Sequence, residues 1–365
     1  MTHNPGLASW LQLTLTPGLG ASAIRGMLRQ FGLPESVLAR KRSELAAFAA
    51  PAAIEALHSE AVRQAVERAL EWLQGDDRAL ITLADDSYPG ALLEIADPPP
   101  VLYAQGRVEL LQRPSLAIVG SRNATAQGES NAANFSKALS DAGLTIVSGL
   151  ALGIDAAAHR GGLAGASSTI AVLGTGIDIV YPRRNADLAA EIGKRGLLLA
   201  EFPLGTHAAT HNFPRRNRLI SGLARGCLVV EAALASGSLI TARAAADQGR
   251  EVFAIPGSIH SPLSKGCHAL IKSGAKLVES AEDVLSELSG IRPSGFASTV
   301  DQPSAEATGL LALMGHDPVD VDSLCSRAGL SAEQVSSELL RLELDGRITA
   351  LPGGLYQRLE KGRAG

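Results

Sequence analysis

Six short apolar runs along the middle of the chain constrain its fold more than any other feature. Each run has the length of a strand, ends at or near a small residue, and is followed by a segment with helical spacing. The runs are SLAIVG (115–120), LTIVSG (144–149), TIAVLG (169–174), LLLAEF (197–202), CLVVEA (227–232) and VFAIPG (252–257). Continuously apolar strands are typical of a parallel sheet that helices cover on both faces. The sequence therefore predicts an α/β fold with a Rossmann-like, doubly wound, mostly parallel sheet.

The N-terminal region has a different pattern. Residues 1–70 show helical spacing only, interrupted by the glycine-rich turn LTPGLG, after which Ser22 is a candidate N-cap. The turn is similar to those of sterile-alpha-motif and helix-hairpin-helix modules, which can contact a DNA backbone. A small packing or interaction module is the favoured alternative. The Rossmann-like domain then spans residues 78–288, with the Pro-rich segment YPGALLEIADPPPVLYAQG as an irregular extension on the sheet edge.

The C-terminal region predicts a linker and a third domain. Residues 289–307 are rich in Pro, Ser, Gly and Ala, as linkers are. Residues 308–360 follow the order helix, tight turn, helix and two strands, which predicts a winged helix-turn-helix domain. Its candidate recognition helix and the turn after it carry three glutamates and two arginines: Glu333, Glu338, Glu343, Arg341 and Arg347. Because carboxylates repel phosphates, this balance favours protein interaction over DNA contact for the domain.

Composition narrows the classes of function. The 365 residues are 46% hydrophobic with a net charge of -4, so the chain can build a large core but has no overall basic field. Any nucleic-acid binding therefore needs a local basic cluster. The three scattered cysteines, Cys227, Cys267 and Cys325, lack the spacing of metal ligands and fit a reduced cytoplasm. We find no signal-peptide pattern and no apolar run near the ~20 residues of a membrane span, so we expect a cytoplasmic protein without membrane contact.

Residues suited to binding an anion follow several of the predicted strands. The carboxyl ends of parallel strands meet at one edge of a sheet, so we expect these residues to lie close together. Glycines let backbone N–H groups approach a phosphate, and arginines supply charge and paired donors. The candidate phosphate or nucleic-acid ligands are Gly120, Ser121, Arg122, Ser148, Gly149, Gly153, Arg183, Phe213, Arg216, Asn217, Arg218, Gly237 and Ser238.

The glycine pattern departs from the common nucleotide-binding loops. The P-loop pattern GxxxxGK[ST] is absent, and the dinucleotide pattern GxGxxG fails after the first strand because Arg122 stands where the second glycine would be. An ATP-dependent or nicotinamide-dependent enzyme is therefore disfavoured, and we predict no cofactor.

Candidate catalytic groups are also sparse. Asp155 and His159 lie four residues apart, as a metal pair can, but a helix cap and a packing residue are the favoured interpretation. His207 and His211 have the same spacing in an apparent loop, and Glu231 after the fifth strand is an isolated candidate base. Because no nucleophile, base and orienting group stand at recognisable spacing, we predict no catalytic residues and no metal site.

A nucleic-acid backbone would use phosphate ligands without needing chemistry. The stretch HNFPRRNR places Phe213 beside a basic cluster, and an aromatic ring next to arginines suits stacking of an unpaired base. The alternative is that Phe213 is buried and that some of these arginines pair with carboxylates.

Six ordered motifs together resemble a known family. GSR, SGLALGID with the following AH, YPRRN, NFPRRNRLISGL, EAALASGSLITA, and FAIPGS with GCHALIKSGA are similar to those of the DNA-processing protein A family, also called Smf. The similarity extends over nearly the whole chain. It implies a non-enzymatic protein that binds and protects single-stranded DNA, dimerises through its Rossmann-like domain and loads RecA recombinase during natural transformation.

The resemblance also implies roles for residues. Arg122, Gly149 and Gly153 would line a phosphate pocket, and Arg183 matches a basic position. Phe213 matches an aromatic residue that stacks on a base, followed by the family's RNR motif at residues 216–218. Gly237 and Ser238 match its SGS turn. One departure is that some members carry a lysine shortly before the aromatic residue, where this chain has Ala209, Thr210 and His211.

Two other functions are weighed against this one. A nucleotide-processing hydrolase of the lysine-decarboxylase-like phosphoribohydrolase type shares a similar fold, but its PGGxGTxxE pattern is not reproduced here. A winged-helix transcription regulator would need a recognition helix that tolerates phosphates, and the acidic helix argues against it.

Overall fold

The structure is a computed structural model that describes residues 6–288, 309–315 and 318–359. In the N-terminal part, all regular elements of the described residues are helices. They are α1 (Leu7–Thr14), α2 (Ala21–Phe31), α3 (Pro34–Leu38), α4 (Arg42–Leu45), α5 (Pro51–Ala56) and α6 (Glu60–Trp72). The expected cap at Ser22 is wrong, because α2 begins one residue earlier and Gly20 is its N-cap residue. The relation of these helices to sterile-alpha-motif modules stays a prediction.

A nine-stranded sheet forms the centre of the molecule. Its strands are β1 (Arg78–Thr82), β2 (Val101–Gly106), β3 (Ser115–Val119), β4 (Thr145–Ser148), β5 (Thr169–Val172), β6 (Leu197–Ala200), β7 (Gly226–Val229), β8 (Glu251–Ala254) and β9 (Lys276–Leu277). Their order across the sheet is β1-β2-β6-β5-β4-β3-β7-β8-β9. The six predicted strands are β3 to β8, and they are parallel as expected.

Three strands were missed by the sequence analysis. β1 and β2 pair antiparallel with each other, and β2 pairs antiparallel with β6. The Pro-rich segment was expected to be irregular and to pack on the sheet edge, but it contains the regular strand β2, which lies between β1 and β6, so that β1 forms the edge. The two-residue strand β9 extends the opposite edge beside β8.

Helices lie on both faces of the sheet, which confirms the doubly wound fold. They are α7 (Gly90–Leu93), α8 (Ala126–Asp141), α9 (Ile154–Ala164), α10 (Ala186–Arg195), α11 (Asn212–Leu223), α12 (Ser238–Asp247), α13 (Lys265–Lys272) and α14 (Ala281–Glu287). Side chains of β3 alternate between two cores: Leu116 and Ile118 face α8 and α9, whereas Ala117 and Val119 face α11 and α12. Burial on both faces explains why the strands read as continuous apolar runs.

The C-terminal elements form the predicted winged helix. They are α15 (Leu310–Met314), β10 (Val319–Asp320), α16 (Val321–Ala328), α17 (Ala332–Leu344), β11 (Ile348–Leu351) and β12 (Leu355–Arg358). The strands pair in the order β10-β12-β11, and Ser331 caps α17 through its hydroxyl, which accepts the Gln334 N–H. The predicted linker, 289–307, lies outside the described residues.

Candidate nucleic-acid interface

The carboxyl ends of β3 to β8 meet at one edge of the sheet. From β3 the chain proceeds through β4, β5 and β6 on one side, then continues with β7 and β8 on the other. The loops after β3 and β7 therefore flank the position where ligands bind in such sheets. The Ser121 N–H donates to the Glu231 carbonyl oxygen at 2.7 Å and ties these two loops together.

The loop after β4 has its N–H groups turned into the protein. The Asp155 carboxylate accepts from the N–H groups of Gly149, at 3.2 Å, and Ala151, at 3.4 Å. The ring nitrogen Nε2 of His159 accepts from the N–H of Leu150 at 3.2 Å. These three N–H groups are consequently not offered to a phosphate, in contrast to the expectation that Gly149 opens a backbone cradle.

The carbonyl groups of the same loop are also held from within. Arg216 donates through Nη1 to the Gly149 oxygen, at 2.7 Å, and to the Val172 oxygen. Asn185 donates to the carbonyl oxygens of the two residues after Gly149, at 2.9 and 3.1 Å. Asn217 accepts from Nε of Arg216 at 3.2 Å. Arg216 is only 5% exposed, so its guanidinium supports the loop from inside the protein.

We call Asp155, His159, Asn185 and Arg216 the inner layer of the site. Nδ1 of His159 lies 2.7 Å from the Thr169 hydroxyl, which itself donates to the Ile146 carbonyl. Nδ1 must therefore carry the proton, Nε2 is the acceptor, and the ring is neutral. Burial, assisted by the Arg216 charge, lowers the pKa of His159 to about 3.

Asp155 was expected to be a helix cap, but it is not the N-cap residue of α9. The N-cap residue of α9 is Gly153, and Asp155 lies in the first turn with its carboxylate on the preceding loop. Burial raises the pKa of Asp155, opposed by the Arg216 charge and the two N–H groups. The side chains of Asp155 and His159 therefore hold the backbone of the loop after β4 in place.

Several other candidate residues also fix the backbone. Gly153 has a φ of +71°, and a Cβ there would lie 2.4 Å from the Ser121 carbonyl oxygen. The buried Ser148 hydroxyl donates to the Ile118 oxygen at 2.6 Å. The Ser121 hydroxyl accepts from the Asn123 N–H at 3.1 Å. Because neighbouring loops pack closely here, positions 121, 148 and 153 require small residues.

Glu231, the isolated candidate base, anchors the start of α8. Its carboxylate accepts from the Thr125 N–H at 2.9 Å and from the Thr125 hydroxyl at 2.6 Å. Burial raises the pKa of Glu231. Gly120 lies nearby, where a Cβ would be 2.6 Å from the Ile154 side chain, so close packing requires glycine there.

Arg218, in the motif on α11, pairs with acids as the alternative interpretation supposed. Its guanidinium bonds the Glu201 carboxylate and lies 3.7 Å from the Asp97 carboxylate. Arg25 of α2 also pairs with Asp97, at 2.6 Å. The side chain of Arg218 is only 18% exposed, and its guanidinium belongs to a chain of ion pairs that connects α11 with the N-terminal helices.

A second group of candidate residues faces solvent. The rings of Tyr181 and Phe213 have centroids 5.6 Å apart and are tilted by 37°. The guanidinium carbon of Arg122 lies 5.7 Å from the Phe213 centroid. Phe213 is half-buried against Gly174, where a Cβ would come within 2.8 Å of the ring. We call Arg122, Tyr181, Arg183 and Phe213 the outer layer.

Exposed cations also stand close to the outer-layer residues in the sequence. Arg183 and Arg184 directly follow the Tyr181-Pro182 step, and both are exposed. Arg215 on α11 is exposed and lies over the Phe202 ring at 5.5 Å. The site edge therefore combines unburied positive charge with two aromatic rings.

The turn before α12 lies at the end of the segment that follows β7. Gly237 is exposed and is the N-cap residue of α12, whereas Ser238 is 8% exposed. The hydroxyls of Ser236 and Ser238 lie 2.7 Å apart. The Gly237 backbone is accessible, while the Ser238 hydroxyl already has a partner.

The described part of the chain has neither a cluster of metal ligands nor a helix that could span a membrane. Within residues 6–288, 309–315 and 318–359, no three His, Cys, Asp or Glu side chains are grouped so that they could hold a metal ion. None of the helices described has both the length and the apolar character needed to cross a membrane.

Comparison with known proteins decides the family. The model of the family described as DNA recombination-mediator protein A matches residues 79–289, and that of the DprA winged helix domain matches residues 295–354. The chain belongs to the DNA recombination-mediator protein A family. Protein Smf of Escherichia coli K12 is 44% identical over 308 residues, which is 82% of each chain.

Two solved structures of the family are similar to this one. The DNA processing protein A structure from Streptococcus pneumoniae has 39% identity and a TM-score of 0.67, covering 76% of this chain and 96% of that one. The Helicobacter pylori protein has 28% identity and a TM-score of 0.51, covering 57% and 94%. That structure is described as giving insight into the single-stranded DNA binding mode of the protein.

Two residues of this site were not among the candidate ligands. Tyr181 and Asn185 stand at the two ends of the motif YPRRN, from which only Arg183 was chosen. The motif YPRRN itself was the sequence signal that could have identified both residues. The structure shows that its first residue belongs to the outer layer and its last to the inner layer.

Proposed function

We propose that this protein binds single-stranded DNA at the outer layer. The observation that carries the proposal is the group of exposed Arg122, exposed Tyr181 and half-buried Phe213 at the carboxyl edge of the sheet, with exposed arginines nearby in the sequence. Aromatic rings stack on unpaired bases of any sequence, and nearby cations bind the phosphates between them. The single-stranded DNA binding named for the Helicobacter pylori relative supports the same ligand.

The candidate residues divide into two roles under this proposal. Arg122 and Arg183 bind phosphates directly, Phe213 stacks on a base, and the exposed Gly237 backbone lies along the strand's path. The others position the loops. These positioning residues are Gly120, Ser121, Ser148, Gly149, Gly153, Arg216, Asn217, Arg218 and Ser238.

We propose that the strand is held without being cut. Three of the groups that could move a proton, Asp155, His159 and Glu231, bind backbone N–H groups within the protein. A general base must reach the proton that it removes, and these groups face inward. Release of free base from nucleoside monophosphates would instead support the hydrolase alternative.

The proposed partners are RecA recombinase and a second copy of this chain. The protein would load RecA on protected single strands during natural transformation in the cytoplasm.

An apolar surface at the β9 edge supports the homodimer. It surrounds a cavity of about 580 Å³ and includes the exposed side chains of Leu234, Ile259 and Leu277. Exposed apolar side chains beside an open strand edge favour burial against another chain. Leu277→Arg should shift the mass measured by light scattering toward that of a monomer.

We propose a protein-binding role for the winged helix. On α17, Arg341 pairs with Glu338 at 2.7 Å, which removes a cation from the face that would approach DNA. Leu340 and Leu344 are 58% and 81% exposed on the same helix. Exposed leucines among carboxylates suit a protein surface better than a phosphate backbone.

The central experiment measures binding of single-stranded and duplex DNA across a salt series. We expect tighter binding of the single strand and a smaller salt slope for Arg122→Ala, by about 0.7 for each lost phosphate contact. Arg113→Ala is the matched control, because Arg113 is exposed but precedes β3 at the opposite edge of the sheet. Equal slopes for the wild type and Arg122→Ala would contradict the proposed site.

A further inference from the structure

The ring of Tyr181 has no role in the interior of the protein. It is 49% exposed, and its neighbour Phe213 is half-buried. The two rings are already in contact, with centroids 5.6 Å apart, within the usual range of about 4.5–7 Å for aromatic pairs. A base therefore cannot enter between them, and each ring offers a separate outer surface.

Other groups restrict access to Phe213. Gly174 lies against one part of its ring, and the Arg122 guanidinium lies over it at 5.7 Å. Tyr181 covers a third direction. The more exposed aromatic surface of the pair is therefore that of Tyr181.

The backbone on both sides of Tyr181 is held in place. The Thr175 hydroxyl donates to the Ile179 carbonyl at 2.6 Å, and the Ile179 N–H donates to the Gly176 carbonyl at 3.0 Å. On the other side, buried Asn185 is bonded to the loop after β4. A ring held in this way loses little conformational freedom on binding, which favours its use as an anchor.

We propose that Tyr181 is a second base-stacking residue, which holds a base neighbouring the one on Phe213. This inference rests on the proposed function. The exposed Arg183 and Arg184 follow Tyr181 directly and would bind the phosphates beside that base. Because its ring must meet the open face of a base, Tyr181 selects unpaired strands and tolerates any sequence.

The test compares Tyr181→Ala with the wild type on two oligonucleotides of equal length and charge. One is a normal single strand, and the other carries abasic sites throughout. On the normal strand we expect the variant to bind about 5- to 140-fold more weakly, with an unchanged salt slope. On the abasic strand, both proteins should bind equally, because the stacking partner is missing.

Two further variants control for packing. Tyr181→Phe keeps the ring and should bind within about twofold of the wild type, whereas Tyr181→Leu keeps apolar bulk without a ring and should resemble Tyr181→Ala. Thermal unfolding of each variant checks that the substitution leaves the fold around Phe213 intact.

The failures of the two proposals are distinguishable. Wild type that does not bind single strands overturns the proposed function. Wild type that binds them while Tyr181→Ala and Tyr181→Leu bind equally well overturns only the role of Tyr181. The same holds if the loss for Tyr181→Ala is as large on the abasic strand.

Discussion

The inner and outer layers come from the same motifs but differ in what surrounds them. YPRRN supplies Arg183 to the outer layer and Asn185 to the inner one, and NFPRRNR supplies Phe213 and Arg216 in the same way. Arg183 is exposed, whereas Arg216 is 5% exposed and bonded to two backbone carbonyls. One motif therefore supplies both residues that support the binding surface and residues that form it. Substitutions in the inner layer should lower the free energy of unfolding, whereas substitutions in the outer layer should weaken DNA binding.

The largest effect is expected for Arg216→Met. The substitution leaves the buried Asp155 carboxylate without its cation and the Gly149 carbonyl without a donor. Each buried carbonyl that loses its donor costs about 1–3 kcal/mol, and the less compensated carboxylate adds to this cost, which urea unfolding would measure. Arg183→Met is the matched control and should change the unfolding free energy by about 0.5 kcal/mol or less. Equal stability of the two variants would remove the distinction between the layers.

Phe213→Ala should show the reverse behaviour. Loss of the ring should weaken single-strand binding by about 1–3 kcal/mol with an unchanged salt slope, because stacking releases no counterions. Phe213→Tyr keeps the ring and serves as the control. A lower salt slope for Phe213→Ala would mean that the ring acts mainly by holding Arg122, which lies 5.7 Å from its centroid.

A pH dependence should come from His159 in the inner layer. Its pKa is about 3 in the folded chain and about 6.5 when unfolded, so the unfolded state binds the extra proton between these values. Stability from this group is present above pH 6.5 and falls by about 2 kcal/mol between pH 7 and pH 5.

The measurement compares unfolding of the wild type and His159→Gln as a function of pH. Asp155, whose pKa burial raises, acts in the opposite direction in both proteins, so the difference between the curves reports the histidine. Curves that stay parallel from pH 7 to pH 5 would contradict a neutral, buried His159.

The smallest effect is expected for Arg183→Ala. One exposed phosphate contact should lower the salt slope by about 0.7 and leave the unfolding free energy nearly unchanged. Asn185→Ala, two residues away, should instead lower stability by about 1–3 kcal/mol, because two carbonyl oxygens lose their donor. Equal salt slopes for Asn185→Ala and the wild type, measured below the unfolding transition, would sharpen the separation of the layers.

Much of the fold could be predicted because its signals are local. Apolar runs and helical spacing located β3 to β8 and the winged helix. β9 was missed because a two-residue strand with both residues exposed carries no apolar pattern, and β1 was missed because only its last two residues are buried. The Ser22 cap was wrong because a glycine in an extended conformation can precede a helix without a side-chain cap.

The site was predicted less well than the fold. The sequence located the motifs of the candidate site but not the direction of their side chains. Glycines beside arginines suggested a phosphate cradle, yet the Gly149 N–H meets Asp155 and its carbonyl meets Arg216. Sequence spacing does not show whether an arginine serves a phosphate or a carbonyl oxygen, since both accept the same donors.

The sequence by itself determined the parallel sheet, the edge at which the motifs gather and the family to which they belong, because these follow from local periodicity and residue order. Only the tertiary structure decided which polar groups face solvent. That choice depends on contacts between distant segments, such as Arg216 with Gly149 and Tyr181 with Phe213. A buried polar group must find a partner within the protein, while an exposed one stays available to a ligand.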